Sequence, residues 1–286
     1  MIGIRAKRIL SDLVIYIVLI VMVFIWLFPL VWMVLKAFDG ANPGVASATI
    51  FPTKYSFDNF VYLFTDKNNP YVQWFLNTFI IALCSCVIST LLVLMVSYAL
   101  SRLRFSARKK LMNIALVLGL FPGFLSLIAL YYIFDQFKLT GDNGHIGLVL
   151  AYSLASGTGY YIVKGFFDTI PLAIDEAARI DGASKNRIFW QMIIPLSKPI
   201  IIYTILTNFI GPWCDFIMAQ LFTSYGTPGY YTVAVGLRKW LEKENISTHF
   251  AHFCAGGVFV SVPIVILYMI MQKFYVAGIT GGAAKG

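Results

Sequence analysis

The sequence predicts an all-α membrane protein with six transmembrane helices and a helical cytoplasmic loop between helices 4 and 5. The first observation is composition: 59% of the 286 residues are hydrophobic and only 12% are charged, and the mean hydropathy is +0.78. An average soluble chain carries roughly twice that charged fraction. The second observation is six apolar runs, each long enough to cross about 30 Å of hydrocarbon. The third is the concentration of basic residues in alternate loops.

The six runs are continuous, so they predict helices and exclude the ten-residue alternation of a membrane β-barrel. The first run exceeds the apolar core of a signal peptide and is expected to remain as the first helix. The same composition excludes a soluble enzyme, a disordered tail and a disulfide-stapled secreted domain. The predicted spans cover approximately residues 13–35, 74–100, 111–134, 146–163, 200–221 and 255–272.

Basic residues predict the orientation of the chain. The loops that include both termini, residues 101–110 and residues 164–199 carry 15 Lys and Arg, whereas the other loops carry 7. Both termini are therefore predicted to be cytoplasmic. The formal net charge of +9 is explained by a basic cytoplasmic surface beside anionic membrane lipid, and nucleic acid is not expected as a partner.

Cysteine and histidine residues do not predict a metal site. His249 and His252 are spaced i,i+3 but lack a third ligand. The four cysteines show no C-x-x-C pair and no histidine at zinc spacing, and are interpreted as small hydrophobes. They are Cys84, Cys86, Cys214 and Cys254.

The loop at 164–199 contains two helical patterns separated by Gly182. In the first, Thr169 is a candidate cap, Pro171 suits a first turn, and Gly182 suits a left-handed end. Apolar residues at 170, 173, 174 and 177 are predicted to line one face. Asp175 and Arg179, spaced i,i+4, are predicted to share another.

The second pattern begins at Ser184 and is predicted to stop at Pro195, before Pro199 opens the next span. Paired alanines on an exposed face of the first helix favour close approach by another protein. The alternative is an interfacial helix that lies on lipid.

The same loop resembles the EAA loop of inner-membrane permeases in binding-protein-dependent ABC importers. Met192 and Ile194 stand where the family pattern has isoleucine and leucine, and the spacing from glycine to proline is intact. The segments that carry the resemblance are Glu176-Ala177-Ala178, Asp181-Gly182-Ala183 and Ile194-Pro195-Leu196.

The resemblance extends over nearly the whole chain and therefore implies a single transmembrane permease domain over residues 1–286. The most specific segments are Tyr231–Leu237 and the ending Gly278–Gly286, which resemble maltodextrin-type permeases of the carbohydrate branch. Other similar segments are Ile50–Pro52, Asp58–Phe60, Asn77-Thr78 and Leu100–Phe105.

The resemblance implies a complex in a bacterial-type cytoplasmic membrane, either an inner or a sole membrane. Its other members would be a second homologous permease, two ATPase subunits and an extracytoplasmic sugar-binding protein. The chain contains no G-x-x-x-x-G-K-[ST] sequence, so it is not expected to be an enzyme and ATP and Mg²⁺ are expected on the ATPase subunits. The contact residues implied for the ATPase are Glu176, Ala177, Ala178, Asp181, Gly182, Ala183 and Pro195. Glu176 and Asp181 have a simpler alternative role, which is to solvate the helix.

Asp215 is the only formal charge in the six predicted spans. Two interpretations remain open: a residue of the sugar pathway, or a structural anchor near the external interface. Trp213 presents the same choice, Asn208 is a further pathway candidate, and Gly211-Pro212 is predicted to kink the helix. The tyrosines that suit sugar stacking are equally consistent with interfacial placement. They are Tyr131, Tyr132, Tyr152, Tyr160 and Tyr161.

The predicted function is a permease subunit of an ATP-driven importer for maltose or maltodextrin-like oligosaccharides. A permease for another oligosaccharide, such as a galacto-oligosaccharide or a raffinose-type sugar, is an alternative. An ion-coupled secondary transporter is a weaker alternative, because one intramembrane acid offers little for ion coupling. The long loop at 222–254 is predicted to dock the sugar-binding protein, with a solvated hairpin as the alternative.

Overall fold

The computed structural model describes residues 2–45, 49–120, 123–154, 159–223 and 226–283. Within these ranges the chain is almost entirely helical and forms no strand; an isolated bridge joins Asp39 and Tyr55. The all-α prediction is confirmed.

Fourteen α-helices are described, together with 3₁₀ turns at Gly141–Asn143 and Pro228–Tyr230 and a π-helical turn at Phe189–Ile193. The α-helices are α1 Ile2–Ala37, α2 Asp58–Thr65, α3 Tyr71–Arg102, α4 Arg108–Gly119, α5 Gly123–Gln136, α6 Gly144–Leu154, α7 Gly159–Thr169, α8 Leu172–Ile180, α9 Lys185–Ile188, α10 Ile194–Leu196, α11 Lys198–Cys214, α12 Ile217–Thr223, α13 Val233–Trp240 and α14 Ile246–Ala283.

Four stretches of the described chain are long and apolar enough to cross a membrane: Ser11–Ala37, Tyr71–Arg102, Gly141–Thr169 and Ile246–Gln272. Two bent pairs raise the number to six if each pair is one span. The axes of α4 and α5 differ by 101°, and Lys185–Leu196 meets α11 at 84°. The protein is therefore a multi-pass membrane protein with four to six spans by length and composition.

The described chain forms two compact units. The first comprises Met1–Asn69 with Leu237–Phe259, and the second comprises Pro70–Gly236 with Val260–Gly286. In the first unit, fully buried Asn59 fastens the segment after α1. Its side-chain amide donates to the carbonyl oxygens of Ala37 and Asp39 at 3.2 and 2.8 Å, and its Oδ1 accepts from the amide of Gly44 at 2.9 Å.

An aromatic cluster also lies in the first unit. The rings of Tyr62 and His252 stack at a centroid distance of 3.6 Å, Trp240 packs beside them, and the Tyr62 hydroxyl bonds Asp66. His249 and His252 therefore contribute to packing. Among the described residues there is no group of three or more His, Cys, Asp or Glu that could hold a metal ion.

Helix α3 is the centre of the second unit and packs against α6, α7 and α11. Its buried face carries small residues, including Ala82, Ser85, Ser89 and Ser97, that let neighbouring backbones approach. Its other face is apolar and exposed, as at Ile80 and Met95, which suits contact with lipid.

The run at 200–221 is not the single kinked span that the sequence predicts. Pro212 lies inside α11, and the break comes three residues later, where Asp215 ends that helix and α12 begins at Ile217. At this break the carboxylate of Asp215 accepts a hydrogen bond from the backbone amide of Met218, in the first turn of α12.

Candidate functional site

Helix α8 is the first helix of the coupling loop, by which we mean residues 164–199. It follows Pro171 directly and has no side-chain cap. Thr169 was the expected cap, but its hydroxyl donates instead to the carbonyl oxygen of Phe166 in the last turn of α7, at 2.7 Å. That prediction was wrong because the residue at the cap position is Pro171, two residues after Thr169, and α8 begins at Leu172.

Gly182 ends α8 as predicted. Its φ is +78°, in the left-handed region. The amide of Gly182 donates to the carbonyl oxygen of Arg179 at 3.0 Å, and the amide of Ala183 donates to that of Ala178 at 2.9 Å. This pair of bonds is a Schellman motif, which satisfies carbonyl groups that the helix end leaves free.

The buried face of α8 differs from the predicted one. Asp175 and Ala178 are 3% and 2% exposed and Ile174 is half-buried, whereas Ala173 and Ala177 are exposed. The helix is rotated because Asp175 turns inward to meet a cation. The prediction that Asp175 shares a solvent face with Arg179 was therefore wrong.

That cation is Arg102, the last residue of α3. It is 7% exposed, and its guanidinium lies 3.1 Å from the carboxylate of Asp175. It also donates to the carbonyl oxygens of Phe167 and Ile170, each at 2.7 Å. One side chain therefore holds the end of α7 and the middle of α8 against α3.

Two neighbours of Arg102 extend this contact. The Ser101 hydroxyl donates to Asp168 at 2.6 Å, and the Tyr98 hydroxyl donates to the carbonyl oxygen of Lys185 at 3.1 Å. We call Tyr98, Ser101 and Arg102 the carboxy-terminal clamp of α3. Sequence reasoning missed it, because the only signal was an arginine at the end of an apolar run.

The amino-terminal clamp of α3 consists of Trp74, Asn77 and Thr78, which are all buried. Trp74 Nε1 donates to the carbonyl oxygen of Pro228 at 2.7 Å, and Asn77 Nδ2 donates to that of Gly229 at 2.7 Å. The hydroxyl of Thr78 accepts from the amide of Val233 at 2.8 Å. These bonds fix the segment before α13.

The second helix of the coupling loop begins at Ser184 as predicted, and the Ser184 hydroxyl accepts from the amide of Arg187 at 3.3 Å. Pro195 does not interrupt this helix. It lies within α10, preceded by the π-helical turn Phe189–Ile193, and the bend comes at Ser197. In a π turn the amide bonds the carbonyl oxygen five residues back instead of four. This change lets the helix include Pro195, which has no N–H to donate.

The outward face of α8 is largely apolar and includes one carboxylate. Ile180 is 86% exposed, and Ala173, Glu176 and Ala177 are exposed beside it. Of the seven residues expected at the ATPase contact, Ala178 is buried and Ala183 is half-buried. The other five are exposed: Glu176, Ala177, Asp181, Gly182 and Pro195.

Asp215 joins three helices. It ends α11, its Oδ1 accepts from the amide of Met218 in α12 at 3.1 Å, and its Oδ2 accepts from the hydroxyl of Tyr152 in α6 at 3.0 Å. A carboxylate that caps a helix is well placed, since helix amino termini carry free amides. Asp215 therefore has a structural function in this position.

A cavity of about 130 Å³ includes Tyr152 and Asn208 in its lining, and Tyr152 connects it to Asp215. The amide of Asn208 donates to the hydroxyl of Thr90 at 3.2 Å. The other lining residues are Ser85, Ser89, Thr207, Gly211 and Pro212. Trp213 does not line it: this side chain is 4% exposed and packs edge-on against the rings of Phe75 and Phe79.

Comparison with known proteins gives a consistent result. The profile of the family described as "binding-protein-dependent transport system inner membrane component" matches residues 94–281. The chain is 36% identical to the galactooligosaccharides transport system permease protein GanQ of Bacillus subtilis, over 99% of this chain and 98% of the relative. It is 34% identical to the maltodextrin transport system permease protein MalD of Streptococcus pneumoniae, over 99% of each chain.

Solved structures share the fold. A chain of a bacterial ABC transporter involved in the import of the acidic polysaccharide alginate matches with a TM-score of 0.80 at 21% identity, covering 95% of this chain and 98% of the other. A chain of an alginate ABC transporter in complex with an alginate pentasaccharide-bound periplasmic protein matches with a TM-score of 0.68 at 16% identity, covering 93% and 95%.

Proposed function

Because this chain belongs to the family of binding-protein-dependent transport system inner membrane components, and is a permease subunit of a carbohydrate ABC importer, we propose that it carries neutral oligosaccharides and couples their passage to ATPase subunits through residues 164–199. The observation that carries the coupling proposal is the outward apolar face of α8. The family membership and the single intramembrane acid leave no reason to propose ion-coupled transport.

The docking face, as we define it, consists of Ala173, Glu176, Ala177 and Ile180, all exposed on α8. Small side chains at 173 and 177 allow a partner groove to approach the backbone, and Ile180 offers apolar area. Ala178, which the sequence assigns to the contact, packs inward, so its proposed part is to hold the helix. Asp181 and Gly182 follow Ile180 directly at the end of the docking face, and Pro195 is exposed in α10.

Movement of the ATPase subunits would reach the membrane through the carboxy-terminal clamp. Arg102 connects α8 directly to the end of α3, and α3 packs against α6, α7 and α11. A displaced α8 would therefore move a packed group of helices as a body. ATP and Mg²⁺ would be bound by the ATPase subunits.

The docking proposal is tested with two adjacent alanines of opposite burial. We expect Ala177→Glu to weaken ATPase binding at least tenfold without changing thermal stability, because the side chain is exposed. Ala178→Glu should instead destabilise the permease, because it buries a carboxylate. Size-exclusion chromatography of the permease pair with added ATPase subunits measures the binding. Unchanged binding by Ala177→Glu would contradict the proposal.

The substrate proposal rests on the cavity lined by Tyr152 and Asn208. Its side chains offer hydroxyl and amide groups and no cation, and Asp215 lies next to it through Tyr152. Such a surface suits neutral sugar hydroxyls and repels uronate carboxylates. The cavity is smaller than the roughly 300 Å³ minimum of ordinary ligand pockets, so the second permease is proposed to complete the pathway.

Maltodextrins and galacto-oligosaccharides are the two proposed sugar classes, as the names of the relatives suggest. Uptake of radiolabelled maltotriose and galactotriose by cells that express the complete importer distinguishes them. We expect uptake of at least one, and none of an alginate trisaccharide. Uptake of the acidic sugar alone would overturn the proposal of a neutral substrate.

We also propose that both termini and the coupling loop are cytoplasmic, and that residues 222–254 face the sugar-binding protein. Cysteines that replace exposed Lys109 and Lys185 should be protected from an impermeant thiol reagent added outside, in a background without native cysteines. A cysteine at exposed Lys243 should be labelled. External labelling at 185 would reverse the orientation.

A further inference from the structure

A second cavity, of about 620 Å³, lies between the carboxy-terminal clamp and α8, and Glu176 is the residue of the docking face that lines it. Leu172, Glu176 and Arg179 line it, whereas Ala173, Ala177 and Ile180 do not. The other walls come from the end of α3, the segment after it and the first residue of α4. They are Ser101, Arg102, Leu103, Arg104, Arg108, Asp168, Asp175 and Lys185.

The charges of this cavity do not balance. Asp175 is paired with Arg102 and Asp168 with Lys164, so Glu176 is the one lining carboxylate outside these ion pairs. Four lining cations make no ion pair with a described residue: Arg104, Arg108, Arg179 and Lys185. The lining holds five cations and three carboxylates, so an anion bound among the excess cations would reduce their mutual repulsion.

The position of the cavity favours the phosphate of a lipid headgroup as the anion. Arg102 ends one candidate membrane span, and Arg108 starts the helix pair that is another. The cavity is therefore at the membrane boundary, where headgroup phosphates are found. Beyond Arg108, exposed Leu111 and Ile114 follow at three-residue intervals along α4, so apolar surface continues from the cations toward the hydrocarbon.

We propose that this cavity binds the phosphate of an anionic glycerophospholipid, with its acyl chains along α4. The bound lipid would connect α4 to the coupling loop, since Arg108 belongs to the former and Arg179 and Lys185 to the latter. A basic cluster beside a span attracts anionic lipid, so the excess of cations in this lining favours selective binding of an anionic headgroup. The site shares no lining residue with the cavity of the proposed sugar pathway, and it shares only Glu176 with the docking face.

The experiment uses the complete purified importer, depleted of lipid in detergent and titrated with dioleoyl phosphatidylglycerol or dioleoyl phosphatidylcholine. Native mass spectrometry counts the bound lipid. The test variant is Arg104→Gln/Arg108→Gln. The matched control is Lys110→Gln/Lys198→Gln, which removes two exposed cations from the same loops outside the cavity.

We expect the wild type and the control to bind phosphatidylglycerol about tenfold more tightly than the test variant, and all three to bind phosphatidylcholine equally weakly. Equal phosphatidylglycerol affinity in the test variant and the control would overturn the proposal. Loss of ATPase subunits from the test variant with normal lipid binding would also overturn it, because the cavity would then receive a protein carboxylate. Displacement of the lipid by equimolar inorganic phosphate would overturn it in favour of a soluble anion. None of these results depends on sugar uptake.

Discussion

The two ends of α3 are fastened to the rest of the second unit by different chemistry. At the amino-terminal clamp, Trp74, Asn77 and Thr78 make neutral hydrogen bonds to backbone groups near α13. At the carboxy-terminal clamp, Arg102 pairs with Asp175 and also donates to two carbonyl oxygens. Both ends are buried, but only the second contains charge.

The difference predicts different responses to substitution. A neutral buried hydrogen bond contributes about 1 kcal/mol. Removal of one partner from a buried ion pair costs about 3–5 kcal/mol, because the remaining charge is left unpaired. A single substitution is therefore expected to destabilise the protein most at the carboxy-terminal clamp, which contacts the coupling loop. The amino-terminal clamp is expected to stay in place.

The largest effect is expected at Arg102. Arg102→Met should destabilise the purified complex by about 3–5 kcal/mol, because Asp175 loses its counter-charge in a buried position. Arg102→Met/Asp175→Leu should recover much of this loss. Thermal unfolding of the two variants and of Asp175→Leu gives the coupling between the residues. Arg187→Met serves as the control, since among the described residues the exposed side chain of Arg187 bonds only Gln191. Equal stability of Arg102→Met and Arg102→Met/Asp175→Leu would show that the ion pair does not stabilise the carboxy-terminal clamp.

The next largest effect is expected at Gly236, and it tests the amino-terminal clamp. A Cβ added there would overlap the indole ring of Trp74, whereas a Cβ added at Gly229 meets no atom within 4 Å. Gly236→Ala should therefore cost about 1–3 kcal/mol, and Gly229→Ala should be nearly neutral. Thermal unfolding of both variants measures the difference. If the two alanines behave alike, the close packing of α13 on α3 is not what fixes this end.

A smaller effect is expected at Gly182. Gly182→Ala should cost about 1 kcal/mol because of its positive φ, although the surrounding space is open. Gly165→Ala, also in open space but in α7, should be neutral or stabilising. Sugar-stimulated ATPase should fall in Gly182→Ala and further in Gly182→Val, because Glu176 and Asp181 are displaced. Normal sugar-stimulated ATPase in Gly182→Val would show that this turn does not position the contact.

The smallest effect on stability is expected from Asp215→Asn. The amide side chain keeps an acceptor for Met218 and a bond to Tyr152, so assembly should change by less than about 0.5 kcal/mol. Asp215→Ala removes the cap and should cost about 1 kcal/mol. Under the pathway proposal, Asp215→Asn changes uptake per assembled complex. Measurement of assembly, ATPase and uptake on the same membranes separates the effects, and unchanged uptake would leave Asp215 with its structural function alone.

Local sequence signals were sufficient to predict much of the structure of the coupling loop. Ser184 and Gly182 were placed correctly, because capping and a left-handed stop depend on the residue and its immediate neighbours. The predictions for Thr169 and Pro195 were wrong, because each residue has another favourable local conformation. The Thr169 hydroxyl bonds back into α7, and Pro195 follows a π-helical turn. The buried face of α8 was predicted wrongly, because hydrophobicity predicts that Ala177 is buried and that Asp175 is exposed.

The sequence by itself determined the membrane class, the all-α fold and the family, because the hydropathy of long runs and the E-A-A-x-x-x-G spacing are properties of consecutive residues. Only the tertiary structure decided which residues meet across the chain. Arg102 and Asp175 are 73 positions apart, and Tyr152 reaches Asp215 from another helix. A buried charge takes its orientation from its partner, and no local pattern states which partner the fold supplies.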